Sequence, residues 1–337
     1  MYSLARPWLF RLDPEVAHGL TLSMLDQAHR FNMSHRLAGV ESDGTPVELM
    51  GLRFPNRVGL AAGLDKNADH LDGLGALGFG FVEVGTVTPR PQAGNSKPRL
   101  FRLPERQAII NRMGFNNAGV AHLVRQVDAS RYDGVIGINI GKNLTTEVED
   151  AVHDYLTALN AVHGSADYVT VNISSPNTPG LRTLQFGDHL DRLLGQLREQ
   201  CARLDQAAGR RVPLVVKIAP DMTDEEVVLV AQCLKAQAID GLIATNTTVD
   251  KSTVAALEHG SEQGGLSGAP VREASTRIIE RFRSELPDMP IIGVGGILSG
   301  ADALEKRRAG ADLVQLYSGL IYRGPELVGE CRRALGE

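Results

Sequence analysis

The sequence predicts an α/β fold closed into a (β/α)8 TIM barrel, preceded by a small N-terminal helical extension. Three observations carry this. Eight short apolar, β-branched runs recur along the chain, separated by longer stretches of helical pattern. Polar or small residues gather directly after those runs, where a barrel of alternating strands and helices keeps its chemistry. Residues 1–40 stand apart, with their own apolar pattern and a polar break behind them. A doubly wound sheet is the alternative, and it is weakened because no run is followed by a proper dinucleotide fingerprint.

The extension is expected over residues 1–40 and the barrel over 41–337. Asp13-Pro14-Glu15 is a helix start: an N-cap, a proline in the first turn and an early acid. Val16, Leu20, Met24 and Ala28 follow at four-residue spacing, one stripe on one face. Ahead of them Tyr2, Leu4, Ala5, Trp8, Leu9 and Leu12 form a second apolar set beside Arg6 and Arg11. Trp and Tyr next to Arg suit a membrane interface. Packing of both helices on the main domain explains the pattern equally well. Glu41 to Pro46 reads as a linker, and Val47 to Asn56 as a short hairpin closing the barrel's bottom.

The barrel strands are expected near Val58–Ala62, Phe81–Gly85, Val135–Asn139, Tyr168–Ile173, Leu214–Ile218, Gly241–Thr245, Ile291–Val294 and Leu313–Tyr317. Two glycine patterns are set aside. Gly73-Leu74-Gly75-Ala76-Leu77-Gly78 matches G-x-G-x-x-G but precedes a strand, so it predicts tight helix-to-strand packing. Gly137 to Asn143 resembles a phosphate loop, but it is one residue short and lacks the final Ser or Thr. The connection from Thr86 to about Asn117 is long and carries Lys97, Arg99, Arg102 and Arg112; long structured loops are usually functional. The stretch Gly180 to Gly187 is a candidate lid.

Composition narrows the chemistry. With 337 residues, 43% hydrophobic and 22% charged, the chain can bury one large core. Its formal charge of -5 gives no case for nucleic-acid binding. Three widely spaced cysteines make no disulfide framework and suggest a reducing compartment. No apolar run approaches a membrane span. Trp8-Leu9-Phe10 is too short for a signal-peptide core, and Asp13 and Glu15 follow it.

The strand ends in order present Ala61 to Lys66, Gly85-Thr86, Asn139, Asn172 with Ser175, Lys217, Thr245-Asn246-Thr247, Gly293 to Gly296, and Tyr317-Ser318-Gly319. Small or glycine-rich ends after the last two strands leave backbone N–H groups for a phosphate. In Tyr168 to Gly180 a strand breaks into Asn172, Ser175, Asn177 and Thr178, which suits a small polar ligand, with Ser175 a candidate base or nucleophile. An ordinary Asn/Ser/Pro turn is the plainer explanation of that stretch alone. The ends hold no carboxylate pair and no His/Cys/Asp cluster, so metal hydrolysis and glycosidase chemistry are disfavoured and no metal is expected. A phosphorylated cofactor with a planar, amide-rich substrate fits better. A buried Lys217 would stabilise negative charge on a reduced flavin ring.

Several longer motifs together resemble the quinone-dependent (class 2) dihydroorotate dehydrogenases over nearly the whole chain. They are Ala61-Ala62-Gly63-Leu64-Asp65-Lys66-Asn67, Glu83 to Pro89, Asn111-Arg112-Met113-Gly114-Phe115-Asn116-Asn117, Asn172 to Thr178, Ala244 to Thr248, Gly264 to Gly268 and Ile292 to Ile297. The resemblance implies an FMN enzyme that oxidises (S)-dihydroorotate to orotate in de novo pyrimidine synthesis. FMN would meet Ala62, Gly63, Leu64, Asp65, Lys66, Thr86, Asn139, Asn172, Lys217 and Thr245, with its phosphate at Gly268, Gly296, Tyr317 and Ser318. Substrate would meet Lys66, Asn111, Arg112, Met113, Gly114, Phe115, Asn172, Asn177, Asn246 and Thr247. Ser175 would take a proton while the adjacent ring carbon gives hydride to flavin N5, and Thr178 is a candidate proton relay behind the weakly basic serine. Class 1 relatives carry cysteine where Ser175 stands and lack the N-terminal extension. In class 2 relatives the extension forms a hydrophobic tunnel and sits on the membrane, with His18 and Arg102 at positions lining the quinone site. The implied acceptor is ubiquinone or menaquinone, the implied location the cytoplasmic face of the cell (inner) membrane, peripherally, and the expected state a monomer. A class 1-like enzyme using fumarate or NAD, or a non-catalytic phosphate-ligand barrel, remain the alternatives.

Overall fold

The computed structural model describes residues 2–31 and 44–336; the expected boundary at residues 40/41 and the first part of the linker, Glu41 to Asp43, lie outside the described residues. Two helices come first, α1 (Tyr2–Leu9) and α2 (Pro14–Arg30). Asp13 caps α2 as its sequence predicts, its carboxylate accepting from Glu15 N at 2.9 Å and Val16 N at 3.1 Å. The hairpin β1 (Val47–Leu49) and β2 (Leu52–Phe54) follows, turning through Met50 and Gly51, both at positive φ as a two-residue hairpin turn requires.

Eight parallel strands then close into a barrel: β3 (Val58–Leu60), β4 (Phe81–Val87), β7 (Val135–Ile140), β8 (Tyr168–Asn172), β9 (Leu214–Ile218), β10 (Gly241–Ala244), β12 (Ile291–Val294) and β13 (Leu313–Leu316), the last pairing with the first. All eight fall on runs that the sequence marks as strands. They are buried on both faces, which is why they read as continuous Val/Ile/Leu stretches and not as alternating ones. The outer layer is α3 (Leu71–Gly75), α4 (Val120–Ala129), α5 (Ala151–Val162), α6 (Gly187–Ala208), α7 (Asp224–Ala236), α8 (Arg272–Glu285), α9 (Gly300–Arg308), α10 (Ser318–Arg323) and α11 (Glu326–Ala334). Phe54 of the hairpin stacks edge-on against Phe81, ring centroids 5.3 Å apart, so the barrel's bottom is plugged as the hairpin's apolar residues predict. The G-x-G-x-x-G stretch packs tightly, but against a helix where the sequence suggests a strand: a Cβ on Gly73 would come within 2.8 Å of Asp26 on α2.

One element has no counterpart among the predicted strands. β5 (Leu100–Leu103), β6 (Ala108–Asn111) and β11 (Gly265–Gly268) form an antiparallel arm outside the barrel. It joins the long connection after β4 to the one after β10, pairing Asn111 with Gly265.

Among its described residues, the extension docks by one face. Tyr2 donates its hydroxyl to Ile321 O at 2.5 Å, Arg6 donates to Tyr322 O at 2.9 Å, and Phe10 packs edge-on against Tyr322. Glu15 receives Arg99 through both carboxylate oxygens, at 2.9 and 3.0 Å, with Lys97 at 3.2 Å. Ala17 and Leu22 are buried, whereas Val16, Leu20 and Met24, the stripe read from the sequence, face outward with Leu4 and Trp8. Both helices do pack on the barrel, yet the apolar stripe is the face they leave bare.

Two partly buried groups make this docking pH-sensitive. Burial opposes ionisation of Glu15, but the hydrogen bonds from Arg99 and Lys97 outweigh it and hold its carboxyl below the usual range. Burial, with Lys66 and His70 nearby, pushes His18 down to about 4. Both depressed groups favour docking above their unfolded values, about 4.3 for Glu and 6.5 for His, and that contribution is lost as pH falls through their folded values. Hydrogen exchange of α2 amides should therefore lose protection between about pH 6.5 and about 4, before the barrel amides do. Simultaneous loss across α2 and the barrel would contradict this.

Candidate active site at the carboxyl ends of the strands

Strand ends and the antiparallel arm enclose one cleft of about 1010 Å3 including its open mouth, at the upper limit for small-ligand and cofactor sites. β4 supplies Thr86, β8 Asn172, β9 Lys217, and the turn after β10 Thr245, Asn246 and Thr247. Lys66 enters from the loop after β3 and donates to Gly63 O at 2.8 Å. The arm brings Asn111, Met113, Gly114 and Phe115 from one side and Ser267 and Gly268 from the other.

One end of the cleft is built of small residues: Gly268, Gly295, Gly296, Ser318 and Gly319, with Tyr317 and Ala62-Gly63 beside them. Ser267 on the arm and Ser318 at the start of α10 share a hydrogen bond of 2.8 Å, which ties the arm to the helix that follows the last strand. Gly296 has φ +72, and a Cβ there would lie 2.5 Å from Arg272, so this loop can lie flush only as glycine. Burial pushes the Tyr317 phenol up to about 12.

The floor is polar and buried. Glu83, fully buried inside β4, accepts from Asn139 Nδ2 at 2.8 Å, Gln315 Nε2 at 2.9 Å and the Tyr168 hydroxyl at 3.0 Å. Lys217 Nζ lies 3.9 Å from it; burial lowers the ammonium's pKa and Glu83 opposes that shift. Above this layer Thr86 donates to Asn139 Oδ1 at 2.5 Å and accepts from Asn172 Nδ2 at 2.9 Å. Asn172 Oδ1 in turn receives Ser174 Oγ at 3.1 Å and Asn246 Nδ2 at 3.4 Å.

Ser175 lines the far end, 6% exposed, and its Oγ accepts the Asn177 N–H at 3.2 Å. Asn177 Nδ2 reaches Asn111 Oδ1 at 3.3 Å, so the loop after β8 and the arm meet over the cleft. The stretch expected as a lid is a 3-10 turn, Leu181–Gln185, held down by two side chains. Arg182 donates to Ser174 O at 3.1 Å and Thr247 O at 2.9 Å and pairs with Asp221 at 2.7 Å. Gln185 Oε1 accepts from Ala219 N at 2.9 Å.

Most of the residues singled out in the sequence line this cleft; several do not. Leu64 is buried beside it, and Asp65 caps the next turn through Asp69 N and His70 N. Asn139 lies beneath the lining, holding Thr86. The Arg112 guanidinium points away to Glu262, at 2.7 Å, and over the Phe101 ring. Thr178 is buried outside the lining. His18 sits by Leu64 and Lys66, and Arg102 donates to Leu9 O and stacks on Phe10, so both stand where the extension meets the barrel and its arm. Lys142, from the phosphate-loop look-alike, binds the carbonyls of Asn143 and Thr146. Among the described residues, a group of three potential metal ligands occurs at His163, Cys201 and Asp205 in the outer helices, where Asp205 also accepts from Val212 N. Residues passed over in the sequence include Gln315 and Val271, while Ser267 and Ile297 stand in the quoted motifs without a role of their own. Gln315 had a signal: a lone polar side chain in the apolar run Leu313–Leu316 points into the barrel.

A closed parallel barrel whose strand ends gather a small-residue end, buried Lys217, half-buried Lys66 and a ring of neutral amides has the architecture of a (β/α)8 barrel enzyme. The chain belongs to the dihydroorotate dehydrogenase family, in its quinone-dependent class: the family model for dihydroorotate dehydrogenase matches residues 45–337. A dihydroorotate dehydrogenase (quinone) of Marinomonas sp. (strain MWYL1) is 62% identical over 331 residues, covering 98% of this chain and 95% of the relative. One from Chromobacterium violaceum is 61% identical over 338 residues, covering 100% and 98%. A crystal structure of a DHODH from Eimeria tenella in complex with ferulenol superposes with a TM-score of 0.88 at 39% identity, covering 96% of this chain and 90% of that one.

Proposed function

We propose that this enzyme oxidises dihydroorotate to orotate with FMN, within pyrimidine synthesis, and returns its electrons to a membrane quinone. The observation that carries it is the single cleft that joins Ser175 and four amides to buried Lys217 and a small-residue end. The residues present fit such a cofactor. Gln315 Oε1 is a buried acceptor without a partner on the cleft wall, suited to a ring N–H. The small-residue end suits a phosphate, and Lys217 suits negative charge on a reduced ring. When bound, the flavin supplies a two-electron acceptor.

The protein's own part is positioning and proton transfer. Asn111, Asn172, Asn177 and Asn246 would hold the amide edges of a planar substrate, and Lys66 its carboxylate. Ser175 Oγ would take the proton from the ring carbon beside the one that gives up hydride. Thr178 has no direct hydrogen bond to Ser175 among those described, so its relay requires a water between them. Thr178→Ala should then slow flavin reduction; an unchanged rate removes Thr178 from the path.

An apolar cluster of Ile109, Leu298 and Tyr322 with Phe10, Leu100 and Ile321 lies between the extension and the arm and supports a quinone approach from that side, past His18 and Arg102. None of the described helices is long and apolar enough to cross a membrane. Leu4, Trp8, Val16, Leu20 and Met24 support peripheral attachment.

Anaerobic addition of dihydroorotate should bleach the flavin, and a short-chain quinone should restore it. Recovery only with fumarate or NAD would overturn the quinone half; no bleaching of FMN-loaded enzyme would overturn the substrate. Lys66 gives a further check. Burial, helped by Arg99, lowers it to about 8, so the free enzyme loses this charge as pH rises past that value. Orotate affinity, read from the flavin spectrum, should fall on the order of tenfold per pH unit above it. A flat profile up to strongly alkaline pH would remove Lys66 from carboxylate binding.

A further inference from the structure

We propose that Glu83, which is fully buried below the cleft and outside its lining, is a positioning residue that sets the hydrogen-bond direction of the whole cleft floor. The argument is one of donors and acceptors. Three donors converge on the Glu83 oxygens, at 2.8, 2.9 and 3.0 Å, with the Lys217 ammonium alongside. A carboxylate accepts only, so Asn139 and Gln315 must each turn their NH2 toward it. For Asn139 this turns Oδ1 up to Thr86, whose proton is then committed at 2.5 Å. The Thr86 oxygen can only accept from Asn172, at 2.9 Å, so Asn172 shows Oδ1 and not NH2 to Ser174 and Asn246. For Gln315 it leaves Oε1 facing the cleft, buried and unpartnered. One buried charge thus determines which edge of each amide a ring would meet, along a path from the centre of the barrel to the Ser175 loop.

An isosteric amide at position 83 tests this without opening a cavity. Glu83→Gln brings an NH2 among donors. Placed against Asn139 it reverses Asn139, Thr86 and Asn172 in turn. Placed against the other two it reverses Gln315, while the Tyr168 hydroxyl simply rotates. Either way a cleft wall shows the wrong edge. The inference rests on the FMN reading, so wild type is measured first.

The readout is FMN release from full-length holoenzyme on dilution, followed by its fluorescence, together with orotate affinity from the flavin spectrum. E83Q should hold FMN or orotate roughly ten- to a hundredfold more weakly, as expected for one or two mismatched buried hydrogen bonds. Tyr168→Phe, which removes one donor but keeps the charge and both amide directions, should stay close to wild type. Thermal melts separate site effects from folding. Should E83Q fail to fold, Gln315→Leu removes only the upward-facing acceptor and its own amide donor, and weakened FMN retention is again expected. Wild-type affinities in E83Q or in Q315L, or an equal loss in Y168F, would overturn the assignment. A wild-type enzyme that neither retains nor takes up FMN would instead overturn the cofactor reading itself.

Discussion

Ser175→Ala should lower the rate of flavin reduction by dihydroorotate by about 10²–10⁴-fold, the usual contribution of a positioned base. The serine is buried, its oxygen is fixed by the Asn177 N–H, and the surrounding loop is anchored through the Arg182 bond to Ser174 O. Removing one hydroxyl at a clamped position takes away a proton acceptor and little else. Orotate affinity and FMN content should therefore stay near wild type, and reoxidation by quinone should be unaffected. Single-turnover absorbance measurements separate these steps. Ser175→Cys adds a direction. A thiol ionises near pH 8.5 in the absence of perturbation, so this variant should exceed alanine and gain rate with rising pH across that region. Flavin reduction in S175A at the wild-type rate would exclude the serine as base.

Deleting residues 1–38 should abolish quinone reduction while leaving FMN binding and bleaching by dihydroorotate in place. The barrel closes through its own eight strands, and the described residues of the extension meet it from outside. What the deletion removes is Phe10 from the apolar cluster, His18 from beside Lys66, and the carbonyls held by Arg102. It also strips Glu15 from buried Arg99, which lowers stability, since a charge left without its partner is costly. A second variant avoids that cost. Replacing Trp8, Val16, Leu20 and Met24 by serine alters only exposed positions. It should keep turnover with a short-chain quinone in detergent and lose sedimentation with lipid vesicles. Full quinone turnover in the truncated enzyme would exclude a quinone site under the extension. Unchanged vesicle binding in the serine variant would exclude these side chains as the anchor.

Much of this enzyme is legible in its sequence because the relevant signals are local. Each barrel strand is a short β-branched run, and burial on both faces makes it visible without knowledge of its neighbours. The residues just past each run are delivered to the same rim by the topology alone, so Lys66, Thr86, Asn172, Ser175, Lys217 and Asn246 could be gathered from five separate strand ends. The start of α2 at Asp13-Pro14-Glu15 is local in the same sense.

What only the tertiary structure decided depends on contacts between distant residues. The arm pairs Asn111 with Gly265, and no period within either short segment announces that partnership. The stripe Val16, Leu20 and Met24 is plain in the sequence, but which face docks was decided by Glu15 meeting Arg99, and it left that stripe outside. Arg112 sits among site residues in the chain and yet turns to Glu262. Glu83 is one charged letter in an apolar run, and its importance emerges only when Asn139, Tyr168, Gln315 and Lys217 close around it from four other strands. Periodicity and composition determine which residues are buried and where chains turn. The direction of a hydrogen bond, the choice of docking face and long-range strand pairing are settled only when distant segments compete for the same space and the same polar partners.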